Sequence, residues 1–484
     1  MLLWFVVIAL INPVGDFPLN DDWCYAKSVK NYIETGELIL YNWGEMTLVG
    51  QVFYGIIFSK LFGFSFTVLR ISTLLFAISS SLILYKLFRL VNMSKCVAFL
   101  ATLLCILNPV FLELSFTYMT DIPFYCLSLY VFYYLLKYIR SKQFKYMVFA
   151  LVACVLAYSI RQLAIVYTFA FMLYGLWSTR FNKKHFKITI LPFGVFLLFA
   201  LVFDFTLKTL GIAQERYNSK FYDFINKLLH FNKSQLIYSV NLTLTTLAYL
   251  GFFLSPFLMC KLQFLKRKLN FFLVIVYTTA AFLILKHYNY ILPSLDNIWI
   301  DFGVGPFTLY YETPHFKKTP SPHFFTFGYY LLTLLGLFAS SIFIYEFIKA
   351  LRKYKSTNNA ISQFTLTQIT VYIFPFLIVG VYDRYLLFLY PLVLIVVLHD
   401  YTLTLNVFKK GILTFSIALL AYFSVAATHD YLSWNRARWQ VLNQLTSTGV
   451  PTSKIYGGAE FITWYHFSNE NKKFWEEVTP VYAL

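Results

Sequence analysis

Long apolar runs of roughly twenty residues recur along the chain, the length at which a helix crosses a hydrocarbon core. They fall at 66–84, 97–112, 122–136, 188–207, 240–260, 271–285, 327–347, 364–381, 385–398 and 411–427. A shorter run occupies 1–11, and 146–177 is too long for one helix, with Arg161-Gln162 dividing it in two. The runs are continuous rather than alternating, which excludes a β-barrel. The pattern predicts an all-α integral membrane protein of about 13 transmembrane helices, its first end inside and its tail, 428–484, outside as a small extracytoplasmic cap. The run at 1–11 has the length of a signal-peptide core. It lacks a basic segment before it and a small-x-small site after it, so an uncleaved first helix is expected, ending in the turn cluster Asn12-Pro13-Val14-Gly15-Asp16.

Between the first two spans the pattern changes. A short helical stretch at 26–34 is broken by Gly36, and a second amphipathic stretch at 49–61 is ended by Gly63. The expected organisation is a membrane domain, 1–427, whose first outer loop, 12–64, carries amphipathic helices, followed by the region 428–484.

Composition agrees with a membrane setting: 59% of residues are hydrophobic and 13% charged. Aromatics are abundant, with 54 Phe and 38 Tyr, as interfacial belts require. The net charge of +18 would suggest nucleic acid in a soluble protein. Here about half of the 40 Lys and Arg fall in the alternate connections at 86–95, 137–145, 180–187, 261–268, 349–355 and 409–410, where the one nearby acid, Asp400, lies just before the last cluster. The basic excess therefore reports topology, and no nucleic-acid partner is expected. No Cys or His pair has metal-ligand spacing.

Acids are scarce, 22 in 484 residues, and they gather in the connections read as outer. The first loop opens on two adjacent carboxylates, Asp21 and Asp22, and the second outer loop carries Glu113 and Asp121. A charge at mid-bilayer costs roughly 3 kcal/mol or more, so ion-coupled carriers show a few there. This chain keeps its ionisable groups at one edge, as an enzyme working at an interface does. Asp21 and Asp22 could simply solvate or cap a helix start, and Asp121 could cap the fourth span. Two acidic loops from separate hairpins can nevertheless converge over the mouth of a bundle. Asp21 is the expected working carboxylate, with Asp22 and Asp121 beside it.

Asn20-Asp21-Asp22-Trp23-Cys24-Tyr25-Ala26, Gly36, Leu61-Phe62-Gly63 and Leu69-Arg70 resemble the first-loop signature of the GT-C glycosyltransferases. The resemblance is to the family 39-like group of protein O-mannosyltransferases and lipid A aminoarabinose transferases. Tyr118-Met119-Thr120-Asp121-Ile122-Pro123 is similar to the group's second acidic motif, and Arg161-Gln162 and Asp383-Arg384-Tyr385 with Pro391 to later landmarks. One departure is plain: where many members carry a basic residue followed by prolines, this chain reads Tyr41-Asn42-Trp43-Gly44-Glu45-Met46.

The resemblance implies transfer of a sugar from a polyprenyl-phosphate donor to a lipid, glycan or protein acceptor, with Asp21 as the general base. For a bacterial protein it implies the inner membrane, with the site on the periplasmic face. Arg70, Arg161, Gln162, Arg384 and Tyr385 are candidates for binding donor phosphate or substrate, with Tyr25 and Trp43, whose ring could stack on a sugar. Each arginine could instead snorkel at a span end. No cofactor is required; a divalent cation on Asp21, Asp22 and Asp121 is left open. Two rivals stand beside this reading. An O-antigen polymerase or ligase would place its signature in the late loop, 287–325, and a transporter or flippase would place charges deep in the spans.

Overall fold

The computed structural model describes residues 2–178, 183–300, 303–304, 326–354, 360–398, 407–470, 478–479 and 482–483. Most of the loop 287–325, with which one rival reading was associated, lies outside the described residues, as does Asp400. The helices in chain order are α1 (Leu2–Ile11), α2 (Asp22–Thr35), α3 (Val49–Phe62), α4 (Phe66–Leu90), α5 (Lys95–Ile106) and α6 (Pro109–Ser115). They continue with α7 (Asp121–Ser141), α8 (Phe144–Tyr158), α9 (Ile165–Ser178), α10 (Lys183–Thr209), α11 (Ser219–Leu229) and α12 (Lys233–Leu258). The rest are α13 (Lys268–His287), α14 (Thr326–Tyr354), α15 (Ala360–Val379), α16 (Leu389–Leu398), α17 (Val407–Ser447) and α18 (Ala459–His466). Two short strands, β1 (Ile455–Tyr456) and β2 (Tyr482–Ala483), pair in parallel with Ile455 opposite Tyr482.

Among the described residues eight helices are long and apolar enough to span a membrane, or nine if the bent pair α5 and α6 counts as one. The chain is thus a helical integral membrane protein, and the expected count of 13 is not reached by length and composition. Several expected spans are shorter than a bilayer needs. The expected span 385–398 is a 3-10 turn, Asp383–Leu386, followed by ten residues of α16. The division at Arg161 appears as expected: α8 ends at Tyr158, and α9 begins after a second 3-10 turn, Gln162–Ala164.

The expected span 97–112 is bent by 66° between α5 and α6. Asn108 accepts the Val110 N–H at 3.0 Å, and Pro109 sits at the first position of α6. Both favour a new helix start over continuation. The bend turns α6 inward and buries all of it, Glu113 included.

Hydrogen bonds knit the loops expected on one face. Asp16 accepts from the Phe66 N–H at 2.8 Å, and Asn20 donates to Asn297 at 2.8 Å. Gln162 donates to the Tyr217 carbonyl at 2.8 Å, and the Asp383 N–H to the Asp296 carbonyl at 2.9 Å. Among the connections expected at the other face, Arg140 reaches the Leu90 carbonyl, and Lys261 pairs with Glu346 at 3.3 Å.

Glycines set one close approach. A Cβ on Gly251 of α12 would lie 1.9 Å from the Gly336 carbonyl oxygen of α14, so the two helices cross backbone to backbone. The last membrane helix, α17, runs unbroken for 41 residues through position 428, where the tail was expected to begin.

Candidate active site

The first loop is shaped by its caps and by Arg70. Helix α2 starts at Asp22 and ends where Gly36 takes the left-handed conformation (φ 79°) and donates to the Tyr32 carbonyl. Arg70, expected near the donor phosphate, is fully buried. Its guanidinium donates to the carbonyls of Gly15 (2.7 Å), Pro13 (3.3 Å) and Phe17, and lies 4.4 Å from the Phe17 ring centre. A guanidinium has five N–H donors and no acceptor; carbonyls of 13–17 take those on Nη1 and Nη2, while Nε has no hydrogen-bond partner among the described residues. Arg70 holds the loop to α4.

Asp22 is likewise fully buried. Its Oδ1 accepts the Leu19 N–H at 2.7 Å and its Oδ2 the Tyr118 N–H at 3.1 Å. Burial pushes its carboxyl up to about 7, with Arg70 and the two main-chain N–H groups opposing. With both oxygens accepting main-chain N–H groups, Asp22 ties the first outer loop to the second.

Asp21 differs from its neighbour. It precedes α2, part of its surface stays open, and its Oδ1 accepts the Trp43 indole N–H at 2.8 Å. Burial pushes its carboxyl above the ordinary aspartate value; Arg384 and the Trp43 hydrogen bond pull it down, and Glu460 and Asp121 push it up again. Groups from four separate segments therefore act on this one carboxylate.

Asp121 opens α7 and is buried. Its Oδ2 is 2.9 Å from Arg161 Nη2, and its Oδ1 is 3.8 Å from Arg384 Nε. Arg161 also donates through Nε to Thr120 Oγ1 at 2.8 Å. Arg384 stands in the 3-10 turn with its guanidinium 5.2 Å from the Tyr382 ring and 5.8 Å from that of Tyr385. Burial works against its charge, but Asp121, Tyr385 and Asp21 hold it protonated, its pKa raised. Its Nε and Nη1 have no hydrogen-bond partner among the described residues. Asp383, beside it, accepts the Trp299 N–H at 2.6 Å, and its carboxyl is pushed up to about 6 by burial.

The expected residues divide accordingly. Asp21, Asp121, Arg161, Arg384 and Trp43 come together, with Tyr25 one helical turn after Asp21 and coupled to it, to Arg384 and to Arg161. Tyr385 stacks on Phe376 at 4.5 Å and flanks Arg384. Gln162 is apart: its amide donates to the carbonyls of Glu45 (3.3 Å) and Tyr217 (2.8 Å), joining two loops. Glu113, an acid of the second loop, is buried with neither oxygen partnered among the described residues. A lone acid inside an apolar run, four residues after Pro109, was its signal. Glu460 was not foreseen; nothing in the tail marks it as near Asp21. No group of three His, Cys, Asp or Glu side chains among the described residues is arranged to hold a metal ion.

Residues 52–203, just under a third of the chain, match the family model of the dolichyl-phosphate-mannose-protein mannosyltransferases. Over that stretch the family 39-like resemblance is borne out. No curated protein is matched at the sequence level. Among solved structures, the chain is similar to ArnT from Cupriavidus metallidurans bound to undecaprenyl phosphate, at 11% identity and TM-score 0.43, over 96% of this chain and 83% of that one. The apo state of the same ArnT is matched at 13% identity and TM-score 0.36, over 88% and 77%. The oligosaccharyltransferase AglB from Archaeoglobus fulgidus, in complex with an inhibitory peptide and a dolichol-phosphate, is matched at 16% and TM-score 0.46, over 89% of this chain and 55% of that one.

Proposed function

We propose that the chain is a membrane glycosyltransferase of the GT-C kind. It moves a sugar from a polyprenyl-phosphate carrier to an acceptor hydroxyl at the face where the first loop lies, in a bacterial inner membrane the periplasmic face. One observation carries the reading: a partly open carboxylate, Asp21, shares one electrostatic cluster with Asp121 and Arg384, delivered by three separate loops. The family matched at 52–203 is named for a donor of this class, a sugar on a polyprenyl phosphate.

Asp21 takes the proton of the acceptor hydroxyl. The acceptor oxygen forms a bond to the anomeric carbon as the bond from that carbon to the donor phosphate oxygen breaks. In-line displacement inverts configuration, and the polyprenyl phosphate leaves with the bonding pair. A base in reach of the reacting oxygen supplies roughly 10²–10⁴-fold. The raised pKa of Asp21 brings it closer to working pH, where a base is both ionised and effective. Arg384 receives the leaving phosphate through Nη1, which has no hydrogen-bond partner among the described residues, while Nε faces Asp121, in surroundings where a buried cation acts strongly. Asp121 and Arg161 hold Arg384 in place.

The test is Asp21→Asn in the full chain, assayed with a radiolabelled polyprenyl-phosphate sugar. Transfer is expected to fall by about 10² or more while the protein still folds and inserts. Unaltered transfer would end the assignment. Mass spectrometry of envelope glycans with and without the protein then names sugar and acceptor together.

A further inference from the structure

The motif Trp434-Asn435-Arg436-Ala437-Arg438-Trp439 and the chain after it have no part in the chemistry so far, yet the structure brings them to it. The upper end of α17 presents Arg438 to Glu460 of α18, Nη2 to Oε2 at 3.2 Å, both side chains largely buried. The Arg438 guanidinium also lies 4.7 Å from the Trp434 ring, and the Trp439 ring 5.6 Å from Phe461. These contacts seat α18 against α2. Lys27 of α2 then donates to the carbonyls of Trp464 (3.1 Å) and Phe467 (2.6 Å). Asn469 accepts the Asn42 N–H at 2.7 Å and donates to the Leu40 carbonyl at 3.2 Å.

Between those anchors the Phe467 ring enters an aromatic cleft of the first loop. Its centre is 5.2 Å from Trp23, 5.9 Å from Trp43 and 6.4 Å from Tyr41, edge-on to both indoles. Trp23 and Trp43 are 5.5 Å apart. The Trp43 indole then spends its one N–H on Asp21 Oδ1. A single hydrogen bond at a partly open carboxylate is a weak restraint on a loop tryptophan, because water competes for both partners. Edge-to-face packing on a ring pinned at both ends of its segment is a stronger one.

We propose that Phe467 is a positioning residue for Asp21: its ring wedges Trp43 so that the indole N–H stays on the carboxylate. Asp21 also faces Arg384 of the 3-10 turn, Glu460 of α18, Asp121 of α7, and Cys24 and Tyr25 of its own helix. A hydrogen bond donated to the ionised form favours that form. Loss of the wedge therefore lets Asp21 titrate at higher pH, leaving the other neighbours in place. The catalytic meaning of the contact rests on Asp21 being the base; the contact itself does not.

The experiment is an infrared pH titration of the purified full chain in detergent, the Asp21 carboxyl band being identified by its loss in Asp21→Asn. The midpoint of that band is expected to shift upward in Trp43→Phe and in Phe467→Ala, and the double variant is expected to shift no further than Trp43→Phe alone. An unmoved midpoint in Phe467→Ala, or additive shifts in the double variant, overturns the proposal. Should Phe467→Ala not fold, Phe467→Leu, which keeps bulk but lacks a ring edge, is read by the same two criteria. The result is separable from the assignment of the base: transfer retained in Asp21→Asn sinks that assignment, whereas an unmoved midpoint sinks the wedge alone.

Discussion

Asp121 stands between two arginines, its Oδ2 at 2.9 Å from Arg161 and its Oδ1 at 3.8 Å from Arg384. All three side chains are buried. Removing one charge from such a group leaves the others uncompensated, at a cost of about 3–5 kcal/mol. Asp121→Asn is expected to lower the thermal unfolding midpoint in detergent and to reduce transfer in the fraction that folds. A variant as stable as the parent would show that the two arginines find other partners.

Arg384 is expected to bind the donor phosphate through Nη1, which has no hydrogen-bond partner among the described residues. A hydrogen bond to a charged group is worth about 1.5–3 kcal/mol, so Arg384→Gln should weaken binding of undecaprenyl phosphate by about tenfold or more. Arg384→Lys keeps the charge but not the planar fork, and should lose less. Titration calorimetry with the detergent-solubilised chain measures both, and equal affinity in all three proteins would remove Arg384 from the donor site.

Arg70 gives the opposite expectation. Its Nη1 and Nη2 groups bond to carbonyls of the first loop, so Arg70→Ala should lower the unfolding midpoint clearly. Undecaprenyl phosphate affinity per folded molecule should change little. A selective loss of affinity with stability intact would return Arg70 to the site.

The buried carboxyls of Asp22 and Asp383 give an unusual pH dependence. Their values in the folded chain, about 7 and about 6, lie above the ordinary 3.8. Between those limits the folded state holds protons that the unfolded chain has released. Stability from these groups is therefore full below about 4 and is lost as pH rises through about 6 to 7. The unfolding midpoint should rise as pH is lowered from about 8 to about 6. Asp22→Asn should flatten that slope. A midpoint that falls over the same range contradicts it.

The crossing of α12 and α14 allows no side chain at Gly251. The new methyl of Gly251→Ala would meet the Gly336 carbonyl oxygen, a main-chain atom that cannot turn aside. Separating the helices should cost about 1–3 kcal/mol or more. A fall in unfolding midpoint checks this, and Gly194→Ala, where nothing lies within 4 Å of the added carbon, serves as the control.

The sequence made the spans visible because continuous apolar runs have one physical solution in lipid. The meeting of Asp21 with Asp121 followed from charge alternation, which sends both loops to one face. The bonds of Arg70 to the loop carbonyls were not legible, because an arginine near a span end looks the same in sequence whether it reaches water or bonds to main chain. The bend before Pro109 was hidden by uninterrupted hydrophobicity, although the Asn-Pro pair announces a helix start. The tail's part in the site was invisible for another reason: Phe467 meets Trp43 only because α17 carries the chain up and α18 turns it back.

Helix α17, 41 residues long, extends about 60 Å at 1.5 Å per residue. The hydrocarbon layer takes up roughly 30 Å of that. The remainder continues the same helix beyond that thickness, and the turns at Gly449 and Gly458 then bring α18 back onto the first loop. Within α17 there is no hinge, so any freedom of the segment that touches Trp43 lies in those two turns alone.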